Sequence, residues 1–574
     1  MARHEALEIP EILRRITSYL SVGSPDFTSC LQTCRSFHTI LAPLLYNTLT
    51  LCPLEHKRPS AHAVQRYIHL VGHLKLDFFI SAEYLRLGFK NLHSITISNR
   101  RVDGENDEYE FTQVEMDSDV MEALLVVIRE NPALRRWTLW NPKPRPSAEV
   151  WRELSSLKKR DPPTTGGQPV PVRPGLYRGV DVLDLTHVSV THEAKPWFLR
   201  ACADAGELRM AAVAFMVANG KPDNYQLFLQ LEKRPPQGRK VEIVEFNGYN
   251  VIDQLTFLSH LVEARSIAWT SPAAGRMPVQ TLPLPTLADL KQFITPTTWP
   301  KLRALDLTGI PGRQLVKFSD ECIAHILDCL PDSQLEEFKL QGSFLGPLGA
   351  KALRKQFPCL QDLRLEPDVI DAQSAFLQEV MESCPKLQVL RAGMFSVGHM
   401  RRGKEWVCLG LKELVVHVDL ESDRAGAVAP KEVHTDSEYW NTYSSSRRYV
   451  FARLGKLTEL VELNTSMPYH TYNAYGPGMS YISLSNSYRS PYWTLDYKLR
   501  HGLDELAGLK KLERLDFSNT YQDLLQTDLE WIVENLPKLK AVTGALVRNV
   551  ERHMEMAVLL RERGIQIGKP QHIR

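Results

Sequence analysis

Apolar residues in the central part of the chain recur in one short frame, apolar-x-x-apolar-x-apolar. The clearest copies are Leu302/Leu305/Leu307, Leu335/Phe338/Leu340, Leu360/Leu363/Leu365 and Leu411/Leu414/Val416. Leu387/Leu390 fills the step before the last of these, and Leu512/Leu515/Phe517 lies nearer the C-terminus. First positions in the central block are 33, 25, 27 and 24 residues apart. Alternation within the frame is the period of a strand with one buried face. Between frames the period turns helical. Ser319 to Leu330 places Cys322, Ile323, Ile326, Leu327 and Leu330 on one face, and Pro331 stops it. Ala372 to Cys384 repeats the design with Phe376, Leu377, Val380 and Met381, ending at Pro385. Thr527-x-x-Glu530 has the spacing of a capping box ahead of Trp531, Ile532, Val533 and Leu536. The predicted unit is a helix, a proline stop, a turn and a strand, and it buries its apolar faces only when units stack.

This period and frame resemble the leucine-rich repeat, from about residue 65 to 570. Weaker copies are Leu92/Ile95/Ile97, Leu134/Trp137/Leu139, Val180/Leu183/Leu185, Leu208/Ala211/Val213, Val241/Val244/Phe246 and Leu539/Val542. Gly346, Gly349, Ala350 and Leu353 after one frame resemble the ribonuclease-inhibitor-like branch. The asparagine or cysteine that usually follows the strand is mostly absent. The implied fold class is α/β: a repeat solenoid, horseshoe-like, with irregular repeats, over residues 51–570. Insertions are expected near residues 100–118 (acidic), 142–178 (proline-rich), 421–448 (polar) and 466–500. The last holds Tyr472, Tyr475, Tyr481, Tyr492, Trp493 and Tyr497 among Gly, Ser and Asn. Large rigid rings bury much area at little entropic cost, so Tyr472, Tyr475, Tyr481, Tyr492 and Trp493 are candidate substrate-binding residues. The other reading packs these rings over the solenoid's own edge.

Residues 1–50 depart from the repeat. Leu7, Ile9, Ile12, Leu13, Ile16 and Leu20 fall at helical spacing with Pro10 in an early turn. A polar break, Ser21 to Asp26, precedes a second helix carrying Leu31, Cys34, Phe37, Ile40 and Leu41, and Pro43 ends it. Ile9-Pro10-Glu11-Ile12-Leu13, then Leu31-x-x-Cys34-Arg35-Ser36-Phe37, then Ala42-Pro43-Leu44-Leu45-Tyr46 resembles an F-box. Ile9 replaces a usual leucine and Phe37 a frequent tryptophan, and both swaps keep an apolar anchor. The resemblance implies docking to a Skp-type adaptor, and through it a cullin, by Ile9, Pro10, Ile12, Leu13, Ile16, Leu20, Pro43, Leu44 and Leu45. A helical patch this short leaves apolar faces for a partner to cover. The plainer alternative is an N-terminal cap for the repeats.

Composition narrows the remaining classes. Charged residues are 24% of the 574, and the formal net charge is +2, so no nucleic-acid partner is expected. Lys233-Arg234 and Arg239-Lys240 around Pro235-Pro236 read as a solvated loop. The nine cysteines form no C-x-x-C pair and several fall in apolar helical patterns, which suits a reducing compartment. No membrane span or signal peptide is expected, and the expected location is cytoplasm, nucleus or both. No phosphate-loop, dinucleotide, zinc-protease or serine-hydrolase motif occurs, so neither catalytic residues nor a cofactor is expected. His69 and His73 sit four apart without a third ligand, so no metal is expected either. The resemblance implies a non-catalytic substrate receptor of a Skp–cullin–F-box ubiquitin ligase, its repeats binding an unspecified protein. The alternative is a leucine-rich-repeat scaffold that does not promote ubiquitination.

Overall fold

The computed structural model describes residues 46–51, 60–77, 82–98, 118–140, 146–157, 180–215, 240–243, 246–247, 261–269, 285–308, 318–365, 371–420, 437–466 and 495–568, isolated positions within them excepted, and a few residues elsewhere. It divides into two compact units, Met1–Ile267 and Ala268–Arg574.

The first unit carries β1 (Thr48–Leu51), β2 (His73–Asp77), β3 (Ser94–Ser98), β4 (Arg136–Trp140), β5 (Val182–Thr186), β6 (Ser189–Val190), β7 (Glu207–Ala211), β8 (Val213–Phe215), β9 (Lys240–Ile243) and β10 (Phe246–Asn247). The unit boundary falls within β11 (Ser266–Trp269). Strands β1, β2, β3, β4, β5, β7 and β9 pair in parallel, each with the next. A second parallel sheet joins β6, β8 and β10. Helices separate several of the strands, as parallel pairing requires a crossover. Ser118–Glu130 and Ala148–Ser156 are the clearest, the latter burying Val150, Trp151 and Leu154.

The second unit holds β12 (Ala304–Thr308), β13 (Glu337–Gln341), β14 (Asp362–Leu365), β15 (Val389–Ser396), β16 (Glu413–Asp419), β17 (Glu462–Asn464), β18 (Arg514–Asp516), β19 (Ala541–Thr543) and β20 (Gln566–Gly568). All pair in parallel in chain order, and one register row runs Leu305, Phe338, Leu363, Leu390, Leu414, Leu463, Leu515, Val542, Ile567. The central frames therefore lie side by side, which makes the second unit a stack of strand-and-helix repeats of mixed α/β type. Leucines 302, 335, 360, 387, 411, 460 and 512, one turn earlier, are likewise buried. Each fully buried leucine contributes roughly 1.5–3 kcal/mol. Ser319 caps the helix Asp320–Asp328 by accepting from the Cys322 amide at 3.3 Å.

Several expected boundaries move. The frames Leu208/Ala211/Val213 and Val241/Val244/Phe246 are displaced by three residues: Leu208 aligns with Leu183 and Val241 with Leu208. Val213 and Phe246 instead pair with each other in the second sheet. The frame also begins earlier than expected, with Leu49 beside Leu74. The proline-rich stretch contains the helix Ala148–Ser156, because Val150, Trp151 and Leu154 fill the core. The polar stretch ending at residue 448 overlaps the helix Ser437–Gly455, whose Val450, Phe451 and Leu454 are buried. The helix Gln526–Asn535 takes its cap from Asp528, not Thr527: the Asp528 carboxylate accepts from the Leu525 amide at 2.8 Å.

Buried amide side chains do the work of the missing strand asparagine. Gln356, fully buried, accepts from the backbone amides of Gln334 and Leu335 at 3.0 Å each and donates to the Pro331 carbonyl at 3.0 Å. Asn131 likewise accepts from Leu92 N at 2.8 Å and donates to Phe89 O at 2.7 Å. Replacing Gln356 with leucine strands one buried donor, one half-buried donor and one acceptor, so the second unit is expected to lose about 1–3 kcal/mol in chemical denaturation. An unchanged midpoint would show that the clip contributes nothing.

Candidate interaction surface

Alternation along each strand sends one residue in two away from the core, so stacked strands build rows of solvent-facing side chains. In the first unit one row reads Thr48, His73, Ser94, Arg136, Val182, Glu207, and the next Thr50, Lys75, Thr96, Thr138, Asp184, Arg209. Hydroxyls dominate it toward β1 and β3. Between β4 and β7, Arg136, Thr138, Val182, Asp184, Glu207 and Arg209 line a groove of about 230 Å³. His73 lies on β2, its Nδ1 2.7 Å from Ser94 Oγ, while His69 belongs to the short helical turn Ile68–Leu70. The two histidines thus lie on different elements. Burial, then the neighbouring His93, Arg136 and Lys75, lowers the His73 pKa. Among the described residues no group of three His, Cys, Asp or Glu side chains is placed to hold a metal ion.

The second unit presents a different chemistry. Its rows read Ala304, Glu337, Asp362, Val389, Glu413, Glu462, Arg514, Ala541, and Asp306, Lys339, Arg364, Arg391, Val415, Asn464, Asp516, Thr543. Acid and base meet across the rows. Arg364 donates through Nε and Nη2 to Asp362 at 2.9 Å, and Arg514 through the same nitrogens to Glu462 at 2.8 and 2.5 Å. Arg391 pairs with Glu413, and Lys339 with Glu337 at 3.2 Å. These bonds raise the pKa of Arg364 and Arg514 further and hold the guanidiniums in one orientation.

A third arrangement lies inside the stack, around Asp496. The Asp496 carboxylate lies 3.1 Å from His501 Nδ1, 3.4 Å from Lys498 Nζ and 3.8 Å from Arg447 Nη1. Arg447 is 1% exposed, and the other three are also buried. Burial pushes the Asp496 carboxyl up, but the His501 hydrogen bond and the Arg447 and Lys498 cations outweigh it and leave it below the usual carboxylate range. Burial lowers the His501 pKa against the opposing pull of Asp496. Tyr497, beside this cluster, is fully buried and shares a 2.9 Å hydrogen bond with Thr465. The residues on either side of the tyrosine-rich stretch are therefore tied to each other. Gly502, at φ +98, turns the chain beside Arg448, where a Cβ would come within 2.8 Å of Arg448 Cα.

Of the residues singled out in the sequence, Ile9, Pro10, Ile12, Leu13, Ile16, Leu20, Pro43, Leu44 and Leu45 lie outside the described residues, as do Tyr472, Tyr475, Tyr481, Tyr492 and Trp493. Within the F-box-like segment Ala42 is described, and it is buried. Tyr497, within the stretch expected as an insertion to residue 500, belongs to the core of the stack. The arginine–carboxylate rows and the buried cluster escaped sequence reading. Some of their partners are far apart in the chain: Arg447 and Asp496 by 49 residues, Arg514 and Glu462 by 52. Strand register brings Arg514 to Glu462, and the packing of the helix Ser437–Gly455 brings Arg447 to Asp496.

No family model matches the chain, and no curated protein matches it. Among solved structures it is similar to a leucine-rich-repeat protein of Leptospira interrogans, at 12% identity and a TM-score of 0.41, covering 91% of this chain and 94% of that one. It is also similar to a chain of the Toll–Spätzle complex of Drosophila, at 13% identity and a TM-score of 0.37, covering 87% of this chain and 57% of that one. The repeat architecture rests on the strand register of this chain, and these likenesses stand beside it.

Proposed function

We propose that the protein is the substrate-recognition subunit of a Skp–cullin–F-box ubiquitin ligase, without catalytic groups of its own. The observation that carries the proposal is the ordered three-block pattern in residues 9–46, followed at once by repeats whose strands align from β1 onward. In this reading Ile9, Pro10, Ile12, Leu13, Ile16, Leu20, Pro43, Leu44 and Leu45 dock the Skp-type adaptor, which joins the cullin. The repeat stacks present rows of solvent-facing side chains to a target protein, a surface that serves recognition without supplying chemistry. Tyr472, Tyr475, Tyr481, Tyr492 and Trp493 are proposed to add to that surface. Ubiquitin transfer takes place on other subunits.

Affinity capture of the full chain beside a Pro10→Ala/Leu13→Ala form tests this. Skp and cullin subunits are expected with the first and absent from the second, while both show the same circular dichroism. Absence of these subunits from both sinks the proposal. Capture by the first alone, with no lengthening of any bound partner's half-life when the protein is removed, favours a scaffold over a ligase receptor.

A further inference from the structure

The rows on the second unit's sheet carry equal numbers of paired acids and bases, but the two signs are not equally presented. Asp362 is 14% exposed against 29% for Arg364, Glu413 17% against 43% for Arg391, and Glu462 19% against 53% for Arg514. In all three pairs the carboxylate is the more buried partner and the guanidinium the more exposed. The bracing bonds of Arg364 and Arg514 use Nε and Nη2 and leave Nη1 out of them. Arg364 and Arg391 are direct register partners on β14 and β15. Val389 and Val415, half-buried, form an apolar floor beside them. Three guanidiniums thus span β14 to β18, about 19 Å at the usual strand spacing.

Bracing matters for binding because a free arginine loses rotamer entropy on engaging a ligand, whereas one already held by a carboxylate has lost most of it. Carboxylates at the margins bound the patch: Glu337 on β13 is more exposed than its Lys339 partner, and Asp516 lies on β18 next to Arg514. An anionic segment fits between these limits and is repelled beyond them.

We propose that this face binds a short, extended, carboxylate-bearing peptide segment of a partner protein, its acidic side chains taken by Arg364, Arg391 and Arg514 and its backbone lying across β14 to β18. This deepens the substrate-receptor reading and rests on it for the identity of the partner as a ligase target. The span corresponds to about six extended residues.

The test uses the full chain and a blocked glutamate-rich peptide of about eight residues, with equal-length lysine and phosphoserine peptides, read by fluorescence anisotropy. The glutamate peptide is expected to bind at low salt and to weaken as ionic strength rises. Arg391→Gln/Arg514→Gln is expected to weaken it at least tenfold, while Lys456→Gln, at an exposed ion pair with Glu405 away from this face, leaves it unchanged. Circular dichroism and denaturation midpoints of the variants confirm that they fold. No binding at low salt, equal binding by the double variant, tighter binding of the lysine peptide, or binding of the phosphoserine peptide alone each overturns the proposal. Skp capture by the double variant separates the two readings. Lost peptide binding with capture retained is expected here, whereas a wild-type chain that captures Skp but ignores the glutamate peptide overturns this inference and leaves the adaptor reading standing.

Discussion

Replacing Leu390 with aspartate is expected to prevent the second unit from folding, whereas replacing Arg391, its neighbour in the chain, with glutamine leaves that unit folded. Leu390 is fully buried on β15, in register with Leu363 on one side and Leu414 on the other. Truncation to alanine costs about 2–5 kcal/mol through lost burial and the cavity left behind. Aspartate adds an unpaired carboxylate in an apolar stack, and the combined cost is comparable to the whole stability of a domain. Arg391 points the other way, into a half-exposed ion pair with Glu413 worth about 0–1 kcal/mol. Soluble yield, circular dichroism and limited proteolysis of the three variants check the contrast. Comparable behaviour of Leu390→Asp and Arg391→Gln would mean that the strand register is wrong.

The second large effect is expected at Asp496. Removing its carboxylate by Asp496→Ala leaves Arg447 and Lys498 as buried cations without their shared counter-charge, and breaking such an arrangement typically costs about 3–5 kcal/mol. A double replacement, Arg447→Met/Asp496→Leu, removes both charges and is expected to recover part of that loss. Denaturation midpoints of the two singles and the double measure the coupling, and strictly additive losses would refute it. The same cluster makes stability fall on acidification. His501 and Asp496 both have folded-state pKa values below their unfolded ones, so the unfolded chain binds more protons as pH drops. His417 on β16 acts in the same direction, since burial lowers its pKa to about 4. The decline is expected to begin as pH falls through about 6.5, where the unfolded histidines titrate. It continues for the carboxylate below the ordinary aspartate range. His417→Gln should flatten the curve between pH 6.5 and 4, and an unaltered curve would remove this residue from the account.

Much of the repeat was legible because its signal is local. Leu360, Leu363 and Leu365 bury one strand face whatever stands next to them, and Phe376, Leu377, Val380 and Met381 bury a helix face by the same logic. Frame positions failed where the local pattern is ambiguous. Leu208/Ala211/Val213 satisfies the spacing, but Val213 sits in a second sheet, and only the pairing of Leu208 with Leu183 shows which residues form the frame. The two stretches expected as insertions, at 142–178 and 421–448, have proline-rich or polar composition, yet the first contains the helix Ala148–Ser156 and the second runs into the helix Ser437–Gly455.

Sequence alone determined the period of the stack and the apolar face of each element, since these depend on side-chain order within a few turns or strand steps. Tertiary structure decided which solvent-facing residues share a surface. Arg514 meets Glu462 across 52 residues of chain. The physical reason is that parallel pairing places residues by register, about 4.8 Å per strand, whatever their separation in the chain. A row of charges therefore exists only once the strands are stacked.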